Sequence, residues 1–313
     1  MNKPAWASFW LLGIVWGASF LLISVGIEEM SATQLVLIRT TIAAIGLNAV
    51  RRYRGYSLPR DWPTIRALII IGIGNATVPY TLIALSEQNI SSGMAAVLQS
   101  TAAFFSLITA HLAFADERMD KQKVMGLFVG FAGVVILSSD TISGGKVDKP
   151  MLLGVLGMVA TSLCYSIFTV YSRKVIKRDI KPVVASSTIF MSAAIFSVVF
   201  VILEPIFGGR AFVPLNQLPD HVLLAAFMLG FTNTFIAYLF FYFIVKELGA
   251  FKSVMVTYIV PVVGLILGVV VLDEVVTTSM LMGATMIMMG IAVINVRPKL
   301  LFNRRPIKTQ KVG

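Results

Sequence analysis

LAFADERMDKQKVMGLFVGFAGVVIL (Leu112–Leu137) and VVVLDEVVTTSMLMGATMIMMGIAVI (Val269–Ile294) align without a gap at an offset of 157 positions. Asp116 falls on Asp273, Glu117 on Glu274, Met125 on Met282, Gly126 on Gly283 and Gly133 on Gly290. Upstream, Asn75 and Tyr80 match Asn233 and Tyr238 at an offset of 158. Chance recurrence of glycine and methionine in apolar sequence explains any one pair. Several pairs in one register, each at the corresponding helix boundary, point to a chain built from two like halves.

Both segments lie in an apolar chain. Of 313 residues, 57% are hydrophobic and 13% charged, against roughly 45–50% and 25% in an average soluble domain; the mean hydropathy is +0.87. This composition excludes a sizeable soluble domain. Apolar runs stretch from Trp6 to Ile27, Ala32 to Val50, Ala67 to Ser86, Ser91 to Phe114, Val124 to Ser138, Met151 to Ser172, Val183 to Leu203, Val222 to Val245, Ser253 to Leu272 and Thr278 to Val296. Each approaches the roughly 20 residues that a spanning helix needs. The fifth is the shortest and extends back through Lys121 and Lys123, whose stems can snorkel. The first lacks a small-residue cleavage site and reads as a retained helix rather than a signal peptide.

The net charge of +11 would suggest nucleic acid in a soluble chain, but here position decides its meaning. With ten spans, all basic residues except Arg39, Lys146, Lys149 and Arg210 fall on one side. Removing a span would invert every later loop and destroy that asymmetry. The expectation is therefore an all-α integral membrane protein with ten transmembrane helices and both termini cytoplasmic. Five helices per half is an odd number, so the halves, 1–140 and 151–296, enter the membrane in opposite senses. Glu117 then lies inside and Glu274 outside. Inverted repeats of this kind allow two bundles to rock about a site near the midplane. A basic cytoplasmic tail follows at 297–313, near anionic headgroups.

The chemistry-bearing residues are few. Cys164 is the single cysteine, so no disulfide framework and no Cys/His metal cluster is expected. No HExxH occurs, no paired acids lie at membrane depth, and His111 and His221 fall near opposite faces, which argues against an intramembrane enzyme and against a resident cofactor. Arg39 is the one basic residue well inside a span, and burying it costs at least ~2.5 kcal/mol. All acids sit in loops or at helix ends, so Arg39 is expected to bond helix carbonyls, an amide such as Asn75 or Gln99, or the carboxylate of a solute. His111 lies about a turn inside the cytoplasmic end of the fourth run. Trp16, Asn75, Tyr80, Gln99, Tyr165, Asn233, Tyr238 and Tyr258 outline a candidate cavity, because unpaired polar groups in hydrocarbon cost several kcal/mol and so turn inward. The alternative for each is helix–helix hydrogen bonding or core filling. Glu117 and Glu274 end their helices at opposite faces, where a neighbouring helix N-terminus can receive them. Their expected role is a gate latch.

LLGIVWGASF in the first run, LVLIRTTIAA in the second, DERMDKQKVMG and YIVPVVGLILGVVVLDEVVTTSMLMGA together resemble EamA-type transporters of the drug/metabolite transporter superfamily. The likeness covers essentially the whole chain. It implies a bacterial inner-membrane carrier, commonly an exporter of amino acids or related metabolites, with a small-molecule substrate and no nucleic-acid partner. The family usually places a proline thirteen residues before the glutamate closing the fourth and ninth helices. Pro261 meets this, whereas Phe104 stands at the first position, so a hinge is expected in the ninth helix alone. A non-transporting receptor or scaffold is the alternative. The oligomeric state, a homo-oligomer included, is left open.

Overall fold

The computed structural model describes residues 3–115, 118–143, 146–175, 180–249, 252–253 and 255–295. Asp116, Glu117, Lys177, Arg178 and the tail at 297–313 lie outside the described residues. Polar residues placed just before apolar runs start several helices. Ser31, Asp61, Ser91 and Asp120 each accept a backbone N–H three residues on, as N-caps do. The described helical segments are α1 (Lys3–Gly26), α2 (Ala32–Tyr53), α3 (Trp62–Ser86), α4 (Ser92–Ala113), α5 (Lys121–Leu137), α6 (Lys149–Val175), α7 (Pro182–Leu203), α8 (Asp220–Leu248), α9 (Met255–Leu272) and α10 (Thr278–Asn295). Eight helices are long and apolar enough to cross a membrane; α5 and α10 fall short of that measure. A two-residue antiparallel pairing, Ile142–Ser143 with Lys146–Val147, is the sole strand structure among the described residues.

The bundle has two chemically different ends. At one, Arg210 donates to the carbonyls of Ile27 (2.8 Å) and Glu28 (2.7 Å), Gln34 pairs with the Val213 backbone, and Glu204 accepts from the Thr33 N–H (3.0 Å) and hydroxyl. The α7–α8 connection thereby satisfies both the carbonyls that end α1 and the amides that open α2. The α9–α10 turn joins the start of α4 at the same end. The opposite end gathers Arg51 and Arg52, and Arg173 and Lys174, whose charged groups lie over the Phe114 ring. Ile14, Ile45, Phe128, Val135, Ile195, Leu224 and Val270 are exposed on the sides. An apolar surface of that extent suits lipid rather than water.

α5 and α10 pack most closely. A Cβ on Gly126 would lie 2.7 Å from the Gly290 carbonyl, and one on Gly133 would lie 2.8 Å from the Gly283 carbonyl. Only hydrogen fits where backbones touch, as at small-residue helix interfaces in membranes. The contacts are reciprocal: Gly126 corresponds to Gly283 and Gly133 to Gly290, so each meets the counterpart of the other and the helices run antiparallel.

Two pairs of irregularities follow the same correspondence. Single π turns interrupt α3 at Ile73–Thr77 and α8 at Phe231–Ile236, around Asn75 and Asn233. The middle of α4 tightens at Ser100–Thr101 with i→i−3 hydrogen bonds, and α9 opens with a 3₁₀ turn at Met255–Tyr258. An irregular turn thus lies within the fourth helix as well as at the opening of the ninth. The fourth is interrupted without a proline, because Thr101 Oγ1 bonds the Leu98 carbonyl (2.7 Å) and the Ser162 hydroxyl (3.0 Å) and supports the tightened turn. Pro261 is buried in the first turn of the regular part of α9, where a missing N–H costs least.

Candidate functional site

Arg39 is 6% exposed on α2 and is held by two helices from different parts of the chain. Its Nε donates to Thr234 Oγ1 at 2.9 Å, within the π turn of α8, and the Thr234 hydroxyl donates onward to the Leu229 carbonyl. Its guanidinium carbon lies 3.7 Å above the centre of the Tyr80 ring on α3, a cation–π contact worth about 2 kcal/mol when desolvated. Among the described residues the other guanidinium N–H groups meet no protein acceptor. Tyr165 on α6 and Tyr238 on α8 come within electrostatic reach of Tyr80 and Arg39. The edge-on contact between Tyr238 and Phe190, 5.0 Å between ring centres, orients the Tyr238 ring. Four helices thus bring one cation and three phenol rings together.

The amides divide. Asn75 Oδ1 and Gln99 Oε1 are buried acceptors without a donor, whereas Asn233 donates through Nδ2 to the Val15 carbonyl and to Ser19 Oγ (3.1 Å). Asn233 is thus tied to α1. Trp16 packs at the α1–α8 contact, 5.6 Å from Phe241, and Tyr258, in the opening 3₁₀ turn of α9, packs against the main core. His111 accepts the Met119 N–H through Nδ1 at 3.3 Å. Among the described residues no three of His, Cys, Asp and Glu group closely enough to ligate a metal.

Glu274 accepts the backbone N–H groups of Ser92 (2.6 Å) and Gly93 (2.9 Å) at the start of α4, where the helix dipole favours an anion. Local geometry aims it there. Asp273 adopts a left-handed φ of 53°, and its N–H and that of Glu274 both bond the Gly268 carbonyl. A Cβ at Gly268 would lie 2.3 Å from the Glu274 carboxylate, so only glycine lets the side chain lie across α9. Glu117, its counterpart, lies outside the described residues.

Thr234 and Glu87 escaped the sequence reading. The one signal for Thr234 is its place beside Asn233. Glu87 carries none. It ends α3 as an ordinary cap, yet it is 7% exposed, with both carboxyl oxygens buried and without a donor. It lies within electrostatic reach of Arg39 and Glu274. A helix end in sequence is here inside the packed structure, though no hydrogen bond joins its carboxyl to Arg39.

The model of the EamA-like transporter family matches twice, at residues 5–139 and 152–296. A protein of Escherichia coli strain K12 described as a "probable amino-acid metabolite efflux pump" is 27% identical over 97% of this chain and 96% of its own length. An uncharacterized transporter of Archaeoglobus fulgidus is 25% identical over 92% of this chain and 98% of its own. A solved crystal structure superposes with a TM-score of 0.64 at 20% identity, covering 94% of this chain and 98% of that one. That last likeness concerns the fold alone.

Proposed function

The chain belongs to the EamA-like transporter family, and from that premise we propose that it exports amino acids or related small metabolites across a bacterial inner membrane, with Arg39 receiving the carboxylate of the solute. The observation that carries this reading is the setting of Arg39. It is buried and fixed in direction by Thr234 and Tyr80, with guanidinium N–H groups to spare. A guanidinium so placed suits bidentate capture of a carboxylate. The donor-free acceptors of Asn75 and Gln99 offer partners for an ammonium group, and the surrounding rings suit an apolar side chain. The name of the Escherichia coli relative supports the same solute class.

The motion we infer is alternating access between two inverted five-helix halves, with the basic end of the bundle cytoplasmic and both termini on that side. The double family match, the reciprocal α5–α10 glycine contacts and the paired π turns support it. Glu274 on the α4 N-terminus then acts as the outer latch, and Pro261 and the Ser100–Thr101 turn are the places where helices bend.

The test compares amino acids in the medium of cells producing the intact protein, Arg39→Ala, or neither, after loading with mixed dipeptides. Export of a subset of amino acids is expected. A lost charged hydrogen bond of about 1.5–3 kcal/mol lowers that export roughly ten- to hundredfold in a variant that still inserts. Identical media in all three would sink the amino-acid assignment.

A further inference from the structure

Glu87 has no task in the scheme above. It follows the last residue of α3 and is almost wholly buried, and neither carboxyl oxygen meets a donor. A bare buried carboxylate costs several kcal/mol, and such groups ordinarily pair or take up a proton. The surrounding elements supply one cation and one anion. Arg39 on α2 and Glu274 in the α9–α10 turn act on it electrostatically. α6 lays Gly154 and Gly157 against Ser86 and brings Tyr165 beside Tyr80 and Arg39. α4 carries no ionisable side chain except His111 at its far end. Glu274 is held on Ser92 and Gly93, five and six residues beyond Glu87, so its position is that of the latch.

We propose that Glu87 is a proton-binding site of the transport cycle, loaded while Glu274 rests on α4 and emptied when Glu274 withdraws, so that solute movement is coupled to a proton. Burial pushes the Glu87 carboxyl well above the usual carboxylate range, the charge of Glu274 pushes it further, and Arg39 opposes both. Withdrawing Glu274 admits water and removes the like charge. The Oε–H bond then breaks, the proton passes to water, and the carboxylate left behind is balanced by Arg39. The sign follows from reciprocity: a proton bound more tightly in the closed form stabilises that form, so closure is favoured at low pH and lost as pH rises through the Glu87 titration.

The coupling half rests on the transport reading above, while protonation is a property of the resting chain and is tested without a solute. Infrared pH-difference spectra of the purified full chain should show a protonated-carboxyl band at neutral pH that is missing from the isosteric Glu87→Gln. In Glu274→Gln the band should disappear at lower pH than in the parent. A band untouched by Glu87→Gln, or a titration unmoved by Glu274→Gln, overturns the site. In proteoliposomes, phenylalanine counterflow should change about tenfold between mildly acidic and mildly alkaline buffer and be nearly flat in Glu87→Gln. Equal pH dependence in both overturns the coupling. An intact infrared result without any phenylalanine flux overturns the amino-acid assignment and leaves the proton site standing.

Discussion

Asn75 and Asn233 occupy corresponding positions, each inside the single π turn of a long helix, yet their surroundings are unlike. Asn233 is 3% exposed and its amide is bound to α1 through Val15 and Ser19; the next residue, Thr234, receives Arg39. Around Asn75 the turn is fastened by Thr77, which donates to the Ala193 carbonyl (3.1 Å), while Asn75 Oδ1 has no donor. The second-half turn is knitted to helices of the first half. The first-half turn keeps a polar atom in reserve. The cause is visible in α7, where the positions that correspond to Arg39 hold Phe196 and Ser197. A nearly symmetric frame thus carries a one-sided site. Under the proposed function, the symmetry serves the motion of the frame, and recognition of an asymmetric solute needs its absence.

The harshest way to break this comparison is to spoil the frame itself. Gly133→Leu drives a side chain into the Gly283 carbonyl, and overpacking of this kind costs typically 1–3 kcal/mol or more. The expected outcome is a large fall in melting temperature in detergent and poor recovery of folded protein. An unchanged melting curve would mean that the α5–α10 contact does not hold the halves together.

A finer probe sets the two amides against each other. Asn233→Ala removes two hydrogen bonds to α1 and should cost about 1–3 kcal/mol, seen as a lower melting temperature. Asn75→Ala has no such bond to lose and should leave the melting temperature within error while weakening the apparent affinity for solute. Equal thermal losses in both would erase the distinction.

The mildest change is Pro261→Ala. It restores one N–H in the first helical turn of the regular part of α9, where an orphan donor is tolerated, so stability should shift by less than about 1 kcal/mol. If the bend at the Met255–Tyr258 turn serves gating, transport should slow without loss of solute affinity. Unchanged kinetics would remove Pro261 from the gate and leave the 3₁₀ turn as the structural feature that matters.

Much of this architecture was legible in the chain. The offset pairs located helix boundaries, because glycine and acidic residues at helix ends serve local packing and capping. Arg39 was legible because a lone cation among apolar residues has few explanations. Its partners were harder to read. Thr234 is one hydroxyl among many in apolar helices, and only the crossing of α2 over α8 selects it. The irregular turn of α4 was hidden for another reason: proline is the obvious signal of a break, and here Thr101 and Ser162 produce one through hydroxyl bonds.

The sequence by itself determined that the chain is a helical membrane protein of this family, where its apolar runs lie and which end is basic. Those properties follow from transfer free energies and local caps, which depend on composition and near neighbours. Only the tertiary structure decided that Thr234 and Tyr80 hold Arg39, that Asn233 is tied to α1 while Asn75 is free of donors, and that Glu87 is buried. These depend on which helix faces meet across long separations in sequence, and burial of a helix-end carboxylate is set by what packs over it.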